Sequence, residues 1–200
     1  MKIKICGITR LEETEYLNRN HVDFAGFVMF FPKSKRNITP EQAATLLPAL
    51  NRQIKKVAVT VSPSLEEVLQ IEELGFDYIQ IHGTLSDEVL NGSSIPVLKA
   101  FNVSDMEQYA YYHTCSRIVG YVFDALEPGS GKTFDWKLVN DIPRDEKMLL
   151  LAGGLHAGNV AQAISAIQPD GVDVSSGVEY DDHPGKDPYK VDAFVTAVRG

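Results

Sequence analysis

Short apolar, β-branched runs alternate along this chain with longer stretches whose apolar residues recur every three or four positions. That alternation predicts βαβ units with parallel strands buried on both faces. The strand candidates are Lys2–Cys6, Phe24–Phe30, Lys56–Val61, Tyr78–His82, Val97–Phe101, Ile118–Asp124, Met148–Ala152 and Val172–Ser175. Helical spacing shows between them, as in Leu65, Val68, Leu69 and Leu74, or Val160, Ala163, Ile164 and Ile167. Helix starts are marked by Thr39-Pro40-Glu41, by Ser64 before Leu65-Glu66-Glu67, and by Ser104 with Glu107 three residues on.

Eight such repeats in 200 residues favour a closed ring over an open doubly wound sheet, which more often has five or six strands. No GxGxxG opens the first helix, which removes the commonest argument for a dinucleotide-binding sheet. The expected fold is α/β, a single (β/α)8 TIM barrel over residues 1–200, without linker or low-complexity tract. The one long polar connection, Ala125–Thr133, carries Pro128-Gly129-Ser130-Gly131 and predicts a loop over the site.

Composition narrows the function. A formal net charge of −8 repels phosphate backbones and anionic lipid heads, so neither nucleic acid nor a membrane surface is an expected partner. A few donors inside a pocket can still bind a small anion. Two cysteines, Cys6 and Cys115, with no CxxC and no Cys/His cluster, indicate neither a disulfide framework nor a metal site and point to a reducing cytoplasm. The first residues lack the apolar core of a signal peptide, and no apolar run reaches the ~20 residues of a membrane span.

In a barrel of this kind the chemistry sits at the carboxyl ends of the strands. That rule selects Cys6, Arg36, His82, Asp124, Gly153-Gly154 and Ser175-Ser176-Gly177. Cys6 is followed by Gly7, which leaves the thiol uncrowded, so it can serve as a base; by position alone it is equally a small buried hydrophobe. Asp124 ends an otherwise apolar strand, where desolvation favours a general acid, although an Asp there also caps loops. Gly153-Gly154 and Ser175-Ser176-Gly177, following the seventh and eighth strands, put backbone N–H groups where such barrels commonly bind phosphate. His82 is read as facing substrate without catalysing. Cys115, Asp181-Asp182 and the cluster of Tyr109, Tyr111 and Tyr112 are read as structural.

At these residues the chain resembles the phosphoribosylanthranilate isomerases. The likeness rests on Lys4-Ile5-Cys6-Gly7-Ile8-Thr9, Gly26-Phe27-Val28, Phe31-Pro32-Lys33-Ser34-Lys35-Arg36, Gln80-Ile81-His82-Gly83 and Phe123-Asp124-Ala125. It continues through Gly129–Trp136, Leu151-Ala152-Gly153-Gly154-Leu155 and Val172-Asp173-Val174-Ser175-Ser176-Gly177-Val178-Glu179. The family usually has Ser-Pro-Arg where this chain has Ser34-Lys35-Arg36, so the loop presenting Arg36 loses a backbone restraint.

The resemblance implies a ribulose-phosphate-binding barrel that performs an Amadori rearrangement in tryptophan biosynthesis without metal or organic cofactor. It implies Cys6 as base, Asp124 as acid, Arg36, His82 and Asp173 against the substrate, and the two glycine- and serine-rich segments on its phosphate. It also implies a small phosphorylated substrate and a cytoplasmic monomer or homodimer. Ribulose-phosphate epimerases and the histidine-pathway aminoaldose isomerase share this loop logic but lack a Cys-Gly-Ile-Thr first loop. A silent metabolite-binding barrel would not need both Cys6 and Asp124. Strand parity adds that Lys4 lies one layer below Cys6 and Asp173 one layer below Ser175, on neighbouring strands. A buried Lys4–Asp173 pair is therefore expected, with its cation favouring thiolate at Cys6.

Overall fold

A computed structural model describes residues 1–102, 108–124 and 144–200. Eight strands form the ring: β1 (Lys2–Cys6), β2 (Phe24–Met29), β3 (Lys55–Val61), β4 (Tyr78–His82), β5 (Val97–Asn102), β6 (Ile118–Asp124), β7 (Met148–Leu151) and β8 (Gly171–Val174). Each pairs in parallel with the next, and β1 pairs with both β2 and β8, which closes the barrel. The two-residue strand Asn37–Ile38, absent from the sequence reading, adds to β2 at Val28 and Met29. Two residues are too few to show a period. Phe30, expected in β2, has φ of 55° and turns the chain out of the strand.

Alternation sorts the side chains into two cores. Phe24, Val57, Val59, Leu98, Ala100, Val122, Leu150 and Ala152 fill the barrel, with Cys6 and Val28 packed against them. Ile3, Ile5, Phe27, Ile79, Phe101 and Val172 face outward into the larger core shared with the helices. Phe101 sits there among Tyr109, Tyr112, Tyr121 and Phe123, while Tyr111 is exposed. Cys115 follows helix Tyr109–His113 and is partly buried against this core, in keeping with a structural role.

Polar staples hold the lower rim. Asp23, Asp77 and Asp170 each accept, through Oδ2, the N–H of the second residue of a neighbouring strand: Ile3 at 2.8 Å, Lys56 at 2.9 Å and Leu149 at 2.7 Å. Thr39 and Ser64 close capping boxes with Gln42 and Glu67 at the starts of helices Pro40–Leu46 and Leu65–Glu73. The Ser104–Glu107 start signal, the Ala125–Thr133 loop and the rest of the Gly129–Trp136 segment lie outside the described residues. Among the described residues no helix is long and apolar enough to cross a membrane.

Candidate active site

A cavity of about 490 Å³ opens at the carboxyl ends of the strands. Cys6, Arg36, His82, Asp124, Gly154, Asp173, Ser175 and Ser176 line it; Gly153 and Gly177 do not. Both shape the backbone beside it. Gly153 and Gly154 both have positive φ, 86° and 63°, a turn that other residues rarely make. A Cβ on Gly177 would meet the Leu155 carbonyl oxygen at 2.0 Å, so only glycine lets the loop after β8 lie against the loop after β7.

The thiol of Cys6 owes its place to two other glycines. Gly26 stands opposite Cys6 on β2, where a Cβ would come within 2.8 Å of Sγ. Gly7, at φ of 82°, lets the stem of Arg36 cross it: a Cβ there would meet Arg36 Cδ at 2.4 Å. Below the thiol, Lys4 Nζ donates to Asp173 Oδ2 at 2.7 Å, and Lys4 is fully buried. The pair expected from parity is present, on residues in direct register across β1 and β8.

Its effect on the thiol is smaller than expected. Burial pushes the Cys6 thiol above its ordinary value and Asp173 adds to this, while Lys4 and Lys186 pull it down without prevailing. The expectation that Lys4 favours thiolate is right in sign, yet desolvation wins. Burial likewise works against charge on Lys4, but Asp173 and then Cys6 outweigh it, and the lysine is raised. Burial raises Asp173 against the pull of Lys4 and Lys186.

His82 is driven to about 3 by burial and by the charges of Lys4 and Lys99, so its ring is neutral near pH 7. Gln80 Nε2 lies 2.8 Å from His82 Nε2; the amide nitrogen has only protons to give, so the ring nitrogen accepts. A ring held neutral in this way does not change charge near pH 7. Among the described residues, Gln80 Oε1, Asn102 Oδ1 and Asp173 Oδ1 are buried without a hydrogen-bond partner.

Sequence reasoning gave no site role to Gly26, Glu179 or Lys186, although Gly26 and Glu179 stand in segments that carry the resemblance. Lys186 is buried behind β8 and donates to Ser175 O at 3.1 Å, Ser175 Oγ at 3.3 Å and Glu179 Oε1 at 3.1 Å. Ser175 Oγ in turn donates to the Cys6 carbonyl at 2.9 Å. Glu179 also accepts from Arg36 Nε on Oε1, and from Lys35 Nζ on Oε2 at 2.8 Å. Burial alone would raise Glu179, but Arg36, Lys186 and Lys35 bring it down to about 2. Glu179 falls within a segment that the sequence marks, but Lys186 lies beyond it, and only the folded loop joins them.

The family model for N-(5'-phosphoribosyl)anthranilate isomerase matches residues 3–197. A relative of that name from Thermoanaerobacter pseudethanolicus is 39% identical over 206 residues, covering 100% of this chain and 98% of its own. A structure of monomers generated from the dimeric phosphoribosylanthranilate isomerase of Thermotoga maritima superposes with a TM-score of 0.84 at 34% identity, covering 100% and 99% of the two chains. A phosphoribosylanthranilate isomerase complexed with reduced 1-(o-carboxyphenylamino)-1-deoxyribulose 5-phosphate superposes at 0.83 with 34% identity, covering 100% and 98%.

Proposed function

As a member of the N-(5'-phosphoribosyl)anthranilate isomerase family, this chain is an isomerase of tryptophan biosynthesis, and we propose that Cys6 and Asp124 are its base and acid. It converts N-(5'-phosphoribosyl)anthranilate to 1-(o-carboxyphenylamino)-1-deoxyribulose 5-phosphate, an aldose–ketose isomerisation. The observation that carries the residue assignment is that Cys6 and Asp124 line one cavity, together with Arg36, Gly154 and Ser176.

Asp124 protonates the furanose ring oxygen; the bond from that oxygen to C1 breaks and the amine lone pair completes a Schiff base. Cys6, as thiolate, takes the C2 proton, and the electrons of that bond form an enolamine and neutralise the imine nitrogen. The Cys6 thiol then gives its proton to C1 while the enol hydroxyl proton passes to the Asp124 carboxylate, leaving the ketone and restoring both groups. The reactive molecules are those with thiolate at Cys6 and a proton on Asp124. Burial keeps the thiolate fraction of Cys6 small, and Lys4 and Lys186 enlarge it. Arg36 takes the anthranilate carboxylate, and N–H groups near Gly154, Ser176 and Gly177 take the phosphate. His82 and Asp173 contact the sugar chain. The whole chain acts as one catalytic unit in the cytoplasm, as a monomer or homodimer.

The test is turnover of phosphoribosylanthranilate by wild type, Cys6→Ala and Asp124→Asn. Both variants are expected to lose nearly all kcat while product affinity stays close to that of wild type, because neither group contributes much to ground-state binding. Near-normal turnover in either variant removes that residue from its role.

A further inference from the structure

Glu179 is the meeting point of three cations, and its geometry divides them by task. Lys186 spends its three protons on Ser175 O, Ser175 Oγ and Glu179 Oε1, which anchors the carboxylate from behind. Lys35, largely exposed, takes Oε2 and does not line the cavity. Arg36 gives Glu179 only Nε. Among the described residues its terminal nitrogens, Nη1 and Nη2, make no hydrogen bond, yet Arg36 lines the cavity.

A guanidinium gripped at Nε has one remaining two-nitrogen edge, the edge that matches a carboxylate bidentately. Gly7 fixes the other end by letting the stem pass in contact with the first loop. Three cations around one carboxylate also leave a positive surplus at the mouth of a protein whose formal net charge is −8.

We infer that Glu179 is a positioning residue: it orients Arg36 so that the free edge of the guanidinium meets the substrate's ring carboxylate, and it holds Lys35 away from that role. This rests on Arg36 being the carboxylate's partner, as proposed above. The departure from proline at position 35 is thereby absorbed, since Lys35 is tied to the same anchor and does not compete.

The experiment measures affinity for reduced 1-(o-carboxyphenylamino)-1-deoxyribulose 5-phosphate and for its counterpart lacking the ring carboxylate. Wild type, Arg36→Ala, Glu179→Gln, Glu179→Asp, Lys35→Ala and the Arg36→Ala/Glu179→Gln double variant are compared. Glu179→Gln is expected to lose about tenfold of the preference for the carboxylated ligand with Arg36 intact, and the double variant to lose no more than Arg36→Ala alone. Lys35→Ala should keep the wild-type preference. Affinity for the ligand without the carboxylate should hold, as a merely structural role for Glu179 would not allow.

If Arg36→Ala keeps the preference, the reading of Arg36 fails. If Arg36→Ala loses it and Glu179→Gln does not, only the role of Glu179 fails. A gain in preference in Glu179→Gln shows a competing charge and overturns the inference, as does a loss in Lys35→Ala equal to that in Glu179→Gln. Should Glu179→Gln not fold, Glu179→Asp decides: the charge is kept, the carboxylate is withdrawn by one methylene, and an unchanged preference is the refuting result.

Discussion

At the scale of single residues, the site sets two buried cations against desolvation at one sulfur. Burial raises the Cys6 thiol, and Lys4 and Lys186 hold it back from rising further. Alkylation by iodoacetamide, followed against pH in a Cys115→Ala background, is expected to show Cys6 titrating above a free cysteine. Lys4→Met should move the midpoint higher still, since it removes the nearer cation and leaves the Asp173 carboxylate uncompensated beside the sulfur. A midpoint at or below that of free cysteine, or one unmoved by Lys4→Met in a folded variant, would contradict this balance. The same reasoning explains why the charge state of Cys6 was not legible in the sequence. Parity gave the neighbour and its sign, but the size of the desolvation penalty depends on how the other strands pack around the thiol.

Among elements, the barrel divides its labour between rims: the upper carries chemistry and the lower carries stability. Asp23 ties β1 to β2 by accepting from Ile3 N at 2.8 Å, far from the cavity. Asp23→Ala strands that buried N–H and is expected to cost about 1–3 kcal/mol of stability, read as a lower urea midpoint, with kcat unchanged. A matching fall in kcat would mean that the rims are coupled. Strands were the most legible elements. Lys2–Cys6, Tyr78–His82 and Ile118–Asp124 have the bounds that the sequence predicts, because β-branched and apolar residues recur through each run even where Lys4 or Gln80 interrupts it. The cavity lining followed from the strand ends, since Cys6, His82 and Asp124 end β1, β4 and β6 and line it. What stayed hidden is cross-strand: Gly26 matters because of Cys6 beside it, and Glu179 because the chain folds back to place Lys186 against it.

For the whole molecule, the Glu179 cluster links stability to acid. Its folded value of about 2 lies below the ordinary 4.5, so its stabilisation is complete above the ordinary value and is lost as pH falls toward about 2. That loss amounts to roughly 2–3 kcal/mol at most. Urea unfolding at about pH 6 and about pH 3 should show wild type losing more stability than Glu179→Gln over that interval. Parallel losses in the two proteins would mean that other carboxylates carry the acid sensitivity. Among the described residues three lysines, Lys4, Lys99 and Lys186, are buried to 2% exposure or less. Lys4 faces the inside of the ring, where an acylating reagent that reaches surface amines at once can reach it only in molecules whose ring has parted. The rate of modification of Lys4 therefore times the opening of the barrel. Lys4 lies on the strand that closes the ring, so labelling there records how often the catalytic wall comes undone while the enzyme stands idle.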